Sequence, residues 1–537
     1  MKRFAGLFCI LAVCVTFSAL ADEGHHHEEM TPEQLGTVHF PVSCTPAVQK
    51  PFERGVALLH SFWYEEAEKQ FQQIASTDPN CAMAQWGLAM SQWHQLWNRP
   101  NPAQLHTGLA EVKKGKSLKP KAAREKAYLN ALDAFYDNSA KRDHQARATA
   151  YSNAMERLYR SYPDDHEAAT FYALSLLGSE PDNDTSFANR KKAAAVLEPL
   201  FASEPNHPGV AHYLIHAYDK PQLAQLGLPA ARSYAKIAPA APHALHMPSH
   251  IFARVGDWQD DIDSNLASIA ATRKSAQMHM GGEGHQYHAM DFLVYAYLQS
   301  GREEDAKKVI DEVKTLPGVH DMYGMGFDPR TYALSKFPAE YEIELHHWKE
   351  AAELQPVAEA SPGDQAITYW ARAIGAVRSG SLEQARKDVD QIEVLHAKLI
   401  KDNKKDFAEA VESDQKEAAA WLAYVTGKQD EAIATLRTMA DNEEKIGEEP
   451  SSIPAREMLA DMLLEMKRPL EALAEYQTDL RFDPNRFNAL YGAAQAAELA
   501  GKSTQASEYY SQLVKVCSGG TSDRPELARA KSLLAQK

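Results

Sequence analysis

Small and aromatic residues recur along the chain in a pattern that predicts paired helices. A helix bearing a small residue is followed by Gly with polar residues, then by a second helix that opens on Ala and carries an aromatic residue before Pro. One copy consists of Gly55, Ala67, Phe71 and Pro79. Gly and Ala let two antiparallel helices approach closely, the aromatic ring fills the space between neighbours, and Pro ends the second helix. The pattern therefore predicts helical hairpins.

The C-terminal part of the chain carries the most regular copies. Ala472 and Ala506 are 34 residues apart, and so are Tyr476 and Tyr510. Copies in the middle are irregular, with spacings of 79 and 47 residues between Ala306, Ala385 and Ala432. One hairpin cannot bury its own apolar face, so successive copies are expected to stack. The sequence thus predicts an all-α protein, and no stretch alternates as a strand would.

These repeats resemble the tetratricopeptide-repeat (TPR) family, and more of the chain resembles a subgroup of secreted bacterial TPR proteins. The wider resemblance is carried by residues 40–44, 53–71, 78–90, 241–255 and 484–500. It implies a right-handed α-solenoid, or superhelix, of TPR-like helical hairpins. It also implies a binding or scaffolding module that holds a peptide, protein segment or small ligand in a concave groove lined by the first helix of each repeat. It names no activity.

The predicted organisation has six parts. The tract 441–452 is expected to be an acidic loop, and residues 525–536 a capping helix. The parts are a signal peptide (1–21), an N-terminal tail (22–44), N-terminal repeats (45–135), middle repeats with a histidine cluster (145–315), irregular helical repeats (320–445), and C-terminal repeats with the capping helix (450–537).

Composition narrows the classes of partner. The chain has 537 residues, of which 44% are hydrophobic and 24% charged, with a net charge of −16. This is a globular composition, which excludes a disordered chain and a collagen-like fibre. The negative balance argues against nucleic acid, which requires a basic face. We therefore predict a peptide or protein partner, no nucleic acid and no span of a membrane.

The N-terminus has the features of an export signal. Lys2 and Arg3 precede an apolar stretch at 4–17, which is too short for a stable membrane anchor. Ala19-Leu20-Ala21 has the small-x-small pattern of a cleavage site. The mature chain is therefore expected to start at Asp22 and to be periplasmic or secreted.

Three cysteines remain outside the predicted signal peptide. Cys44 and Cys81 would close a loop of about 36 residues, and such a bridge contributes roughly 3–4 kcal/mol when unstrained. An oxidising compartment favours this bridge. The sequence alone leaves the alternative of two buried free thiols. Cys517 is left over and is predicted to be free.

Histidines concentrate in the middle repeats. Nine of the 22 histidines lie between His207 and His288. His212 and His216 are four residues apart, so they share a helix face. The pair His246 and His250 repeats this spacing 34 residues later, which places it on the neighbouring repeat. The two pairs are therefore expected to stack.

Further candidate ligands flank these pairs. They are His243, His285, His288 and Asp291, and the predicted groove would present them in neighbouring rows. Imidazoles at this spacing suit zinc or another divalent transition metal, and Asp291 could ligate or orient a ligand. A catalytic zinc also requires a base, for which Glu283 and Asp291 are the candidates.

Two alternatives to the binding module follow from these histidines. One is a metal-dependent enzyme, in particular a hydrolase, and the other is a metal carrier without catalysis. Neither histidine pair has the His-Glu-x-x-His pattern of metalloproteases. A groove with polar rings or packing between repeats would explain the histidines without any metal.

Overall fold

Helices supply the regular structure of this protein. The computed structural model describes residues 32–96, 99–181, 184–280, 283–319, 328–447 and 449–536, and these residues contain no strand. The predicted signal peptide and cleavage site lie outside the described residues, as do residues 22–31 of the predicted tail.

The N-terminal section runs from residue 32 to residue 203. Its helices are α1 (Pro32–Leu35), α2 (Gln49–His60), α3 (Tyr64–Thr77), α4 (Ala82–Met90), α5 (Pro102–Ser117), α6 (Ala123–Tyr136), α7 (His144–Ser161), α8 (His166–Leu177) and α9 (Ala188–Ser203). The middle section contains α10 (Pro208–Tyr218), α11 (Ala224–Ile237), α12 (Pro242–His246), α13 (Pro248–Val255), α14 (Trp258–Gln277), α15 (His285–Gln299) and α16 (Glu303–Val313).

The C-terminal section runs from residue 329 to residue 535. Its helices are α17 (Pro329–Glu344), α18 (Trp348–Glu353), α19 (Pro362–Ser379), α20 (Leu382–Lys401), α21 (Lys405–Val425), α22 (Gln429–Ile446), α23 (Ala455–Glu465), α24 (Pro469–Phe482), α25 (Phe487–Leu499), α26 (Ser503–Val516) and α27 (Pro525–Ala535).

Aromatic rings pack where glycine leaves room, as the repeat pattern predicts. The ring of Phe71 on α3 lies between α2 and α4, and a Cβ added at Gly55 or Gly87 would come within 2.8 Å or 2.3 Å of it. In the regular C-terminal copy, a Cβ at Gly492 would come within 2.2 Å of the Tyr476 ring. A larger residue at these glycines would push the hairpin helices apart.

The helices stack in chain order. Each long helix packs against the next, and several, such as α4 with α6 and α23 with α25, also pack against the second one along. This confirms the predicted all-α solenoid of helical hairpins. The apolar core has three adjoining sections, which span Leu35 to Met280, Ala253 to Tyr341 and Ala339 to Ala530. Among the described residues, none of the helices is both long and apolar enough to cross a bilayer.

Parts of the solenoid that are distant in sequence also meet. The indole N–H of Trp63 donates to the carbonyl of Met280 at 3.1 Å. At the other end, the fully buried Arg486 guanidinium donates to Glu344 at 2.6 Å and to the hydroxyl of Tyr295 at 2.5 Å. Residues of the N-terminal and C-terminal sections therefore contact the middle repeats.

One local expectation was wrong. The tract predicted to be an acidic loop at 441–452 begins as helix, because α22 continues to Ile446 and ends at Gly447 with φ of 68°. Arg456 donates to Asp441 and Glu444, which relieves the repulsion between these carboxylates on one helix. The acidic residues thus form a face of α22 before the chain turns.

Candidate metal centre

The middle repeats bring the predicted histidines onto neighbouring helices. His212 and His216 lie on α10, His243 and His246 on α12, His250 on α13, and His285 and His288 on α15. His216 and His288 are half-buried, and the other five are buried. The sequence predicts that these side chains line a groove, and that role stays a prediction. Parts of the chain that are far away in sequence approach these helices, because His60 of α2 contacts His212 and Glu449 lies 3.7 Å from His288.

Three imidazoles meet at His212, and we call His212, His216 and His243 the first triad. The Nε2 atom of His212 lies 3.0 Å from Nε2 of His216 and 3.1 Å from Nε2 of His243. The Nδ1–H of His212 donates to the carbonyl of His60 on α2 at 2.6 Å. Because a carbonyl only accepts, this bond leaves Nε2 of His212 with its lone pair directed at the other two rings.

A second set of three imidazoles lies one repeat further on. This second triad consists of His246, His250 and His288. The Nε2 atoms of His246 and His250 lie 3.0 Å apart, and one ring nitrogen of His288 lies within 4.8 Å of a ring nitrogen of each of the other two. The rings of His246 and His288 have centroids 4.5 Å apart. The histidine pairs that recur after 34 residues in the sequence therefore form two similar clusters on adjacent repeats.

Hydrogen bonds fix which nitrogen two of the three rings of the second triad offer. The Nδ1–H of His246 donates to Oδ1 of Asn265 at 2.7 Å. The amide of Asn265 is oriented by its own Nδ2, which donates to the carboxylate of Asp261 at 2.6 Å. The Nδ1–H of His250 donates to the carboxylate of Asp219 at 2.9 Å. Both Nε2 atoms therefore face each other with their lone pairs converging, an arrangement that a cation between them would satisfy.

Burial favours the neutral form of five histidines of the triads: His212, His216, His243, His246 and His288. Loss of solvent, with neighbouring histidines adding to it, lowers the pKa of His212, His243 and His246 well below the usual range. Burial lowers the pKa of His216 to about 3 and that of His288 to about 4. Neutral imidazoles with converging Nε2 atoms are the form that binds transition metals.

Two predicted ligands lie outside the triads. The carboxylate of Asp291 accepts from Nζ of Lys336 at 2.6 Å, so an ammonium group already pairs with its charge, and its part in a metal site stays a prediction. Lys336 comes from α17, and nothing in the local spacing indicates it. The His285 ring has its centroid 5.5 Å from that of His243 and flanks the first triad without belonging to it. Glu283, the other candidate base, belongs to neither triad.

A third cluster was not predicted. Glu167 on α8 accepts from Nε2–H of His60 at 2.8 Å and from Nε2–H of His207 at 2.9 Å. The Tyr213 hydroxyl donates to the remaining nitrogen of His60 at 2.9 Å, and Nδ1 of His207 accepts from a backbone N–H of α10. Burial opposes ionisation of Glu167, but the two histidines lower its pKa to about 2. Every nitrogen is satisfied by a hydrogen bond, so this cluster acts as structural support beneath the first triad.

The second triad lies close to solvent on one side. The carboxylate of Glu449, which is 54% exposed, lies 3.7 Å from Nε2 of His288. Glu449 and Arg254 both line a small cavity of ≈40 Å³ that opens to solvent. Arg254 donates through Nε to Asp219 at 2.9 Å, the same carboxylate that orients His250. No local pattern in the sequence indicates Asp219, Asn265 or Glu449 as part of this site.

The cysteines are disposed as a bridge and a free thiol. Cys44 and Cys81 form a disulfide with Cα atoms 4.9 Å apart, which ties the segment before α2 to the start of α4. Cys517 is free and buried, and loss of solvent raises the pKa of its thiol to about 12.

Comparisons with known proteins give no family for this chain. No protein-family model and no curated protein matches it. Among solved structures, the human IFIT1 dimer with m7Gppp-AAAA is 14% identical with a TM-score of 0.34, covering 81% of this chain and 90% of that one. The APC/C hetero-tetramer Cut9-Hcn1 is 11% identical with a TM-score of 0.27, covering 77% and 84%. Scores this low carry no argument about the ligands or partners of this protein.

Proposed function

We propose that this protein is a metal-binding helical-repeat protein whose first and second triads each hold a transition-metal ion. The observation that carries this proposal is the pair His246 and His250. Their Nε2 atoms are 3.0 Å apart while both Nδ1–H groups already donate to other residues. Zinc or another borderline divalent ion is the expected metal, because three imidazoles and an open position are a common donor set for it.

The surroundings of the ligands support the same proposal. Metal-binding histidines generally donate their second nitrogen to a carboxylate or carbonyl, which fixes the ring and its tautomer. Asp219 has this role for His250, Asn265 for His246, and the carbonyl of His60 for His212. The third cluster offers the contrast, since its histidines donate to Glu167 through Nε2 and have no nitrogen left to bind a metal.

Metal binding is favoured over the other two candidate functions, which are ligand binding in a groove and metal-dependent hydrolysis. The binding of a peptide or small ligand in a groove, which the TPR resemblance implies, stays a proposal. It would involve other side chains of the solenoid, because most of these histidines are buried. Metal-dependent hydrolysis is the second candidate, favoured by one observation. Glu449 lies 3.7 Å from His288 beside the open cavity, where a carboxylate could accept a proton from a metal-bound water.

Metal analysis of the purified, tag-free protein tests the proposal. After loading with zinc and desalting, we expect two zinc ions per chain. H246A/H250A and H212A/H216A should each lose one ion. A chelator should lower the melting temperature of the wild type, because zinc at 100 times its dissociation constant stabilises the folded state by about 2.7 kcal/mol.

The control is H39A/H347A, which removes two histidines outside the triads, with side chains 83% and 46% exposed. It should retain both ions and the response to chelator. If the wild type carries no stoichiometric metal after loading, and the chelator leaves its melting curve unchanged, the proposal is wrong. Hydrolysis is tested separately, because E449Q should abolish it while both ions stay bound.

We also propose that the protein acts outside the cytoplasm. The disulfide between Cys44 and Cys81 supports this, since such bridges persist in oxidising compartments. N-terminal sequencing of protein recovered from the periplasm or medium should give Asp22 as the first residue. Recovery only from the cytoplasm with Met1 retained would contradict it.

A further inference from the structure

The cavity beside the second triad is lined by acidic residues on its far wall. That wall is formed by the last turn of α24, where Asp479 lies, and by Asp483 just after the helix. Glu443 and Glu444 of α22 face the same cavity. None of these four carboxylates comes from an element that carries a triad histidine.

Asp479 is a buried carboxylate without a hydrogen bond. Its relative exposure is 1%, and neither Oδ1 nor Oδ2 has a hydrogen-bond partner. Burying an ionised carboxylate without a partner costs several kcal/mol, so a proton or a cation must neutralise it. Burial, with Glu457 and Asp483 adding to it, raises the pKa of Asp479 well above its usual range.

The arginines of the cavity do not supply that neutralisation. Arg456 already donates to Asp441, Glu444 and Glu475. Arg254 donates to Asp219, outside the acidic wall. The described lining residues contain five carboxylates (Glu443, Glu444, Glu449, Asp479 and Asp483) and two guanidinium groups, so five minus two leaves an excess of three negative charges.

The donor atoms decide which cation fits. The described lining offers carboxylate oxygens and the hydroxyl of Ser452, and it contains no histidine or cysteine. Oxygen-only sites suit hard cations, whereas imidazole sites suit zinc and its neighbours. The opening to solvent also leaves room for the waters that calcium and magnesium keep in their coordination shells.

We propose that this cavity binds a hard divalent cation of the calcium and magnesium class through the carboxylates of Asp479 and Asp483. The site is separate from the histidine triads in its ligands and in its metal, and it does not rest on the proposed function. Arg254 lies between them, because it lines this cavity and also pairs with the carboxylate that orients His250.

Calorimetric titration of the full chain tests this site. The protein is first stripped with a chelator, then titrated separately with Ca²⁺ and Mg²⁺ up to about 10 mM, since extracellular calcium sites reach dissociation constants near 1 mM. We expect one ion to bind with either metal. D479N should weaken binding at least tenfold, and D479N/D483N should abolish it.

The design separates loss of the site from loss of the fold. Asn has the size of a protonated Asp and carries no charge, so D479N should fold and keep the melting temperature of the stripped wild type. D311N, a surface substitution on α16, should bind as the wild type does. H246A/H250A should keep its calcium even after losing zinc, which distinguishes this proposal from the proposed function. Absence of Ca²⁺ and Mg²⁺ binding by the wild type, or full binding by D479N/D483N, would overturn the inference.

Discussion

Asp219 controls which nitrogen His250 offers, so its replacement by Asn should weaken metal binding without removing any ligand. One carboxylate oxygen accepts from Nδ1–H of His250 and the other from Nε–H of Arg254, each at 2.9 Å. Burial opposes ionisation, but Arg254 and His250 hold the pKa of Asp219 well below its usual range. Asn has one oxygen and one NH₂, so it can satisfy only one of these two donors.

The two orientations of the new amide in D219N have different consequences. If the amide oxygen faces Arg254, the NH₂ group faces His250, whose Nδ1 must then accept. The proton moves to Nε2, which can no longer bind a metal. If the amide oxygen faces His250, the Arg254 charge loses its partner instead. Removal of such an orienting group typically costs 10–100-fold in metal affinity, or about 1.4–2.7 kcal/mol.

Competition with a chromophoric chelator at pH 7.5 measures this effect. D219N should bind one zinc ion as the wild type does, at the first triad, and the other 10–100-fold more weakly. The matched control is D388N, which breaks a similarly buried Asp–Arg pair with Arg372, far from the histidines. D388N should lose stability and keep both affinities. The reasoning is refuted if D219N binds both ions within twofold of the wild type, or if D388N loses as much affinity.

Three further predictions concern the framework around the site. E167Q should lower the free energy of unfolding, measured in urea, by about 3–5 kcal/mol, because Gln leaves one histidine N–H facing an NH₂ group. The zinc content of this variant should be unchanged. Because the pKa of Glu167 in the folded protein is about 2, the ionised carboxylate stabilises the fold fully above pH 4.5, and this stabilisation is lost as the pH falls towards 2. The stability of E167Q should lack this dependence on acid pH. Mass spectrometry after alkylation should show that Cys44 and Cys81 react only after reduction, because they form a disulfide. Cys517 should react without reductant, but only once the chain is unfolded. Labelling of Cys517 in the folded protein at pH 8 would contradict its burial. R486A should lower the free energy of unfolding by about 3–5 kcal/mol, because two buried carboxylates lose the positive charge of Arg486. A loss under 1 kcal/mol would show that the contact between the C-terminal and middle repeats is not structural.

The position of the histidine pairs could be read from sequence because it depends on local periodicity. Residues four apart share a helix face, and a 34-residue spacing returns to the same place in the next hairpin. In the structure, His212 with His216 and His246 with His250 have this relation on adjacent repeats. The all-α hairpin architecture was predictable for the same reason, since each hairpin is built from contacts near in sequence.

What lies around those histidines was decided by the tertiary structure. The carbonyl that fixes the tautomer of His212 belongs to His60, 152 residues earlier in the chain. Lys336, which pairs with Asp291, lies 45 residues beyond it on α17. The path of the superhelix sets such contacts, and a helix turns by about 100° per residue, so small shifts exchange one partner for another. The sequence by itself determined which side chains share a helix face, whereas the closure of distant repeats decided whether that face is open, which nitrogen each ring offers and which carboxylates are already paired.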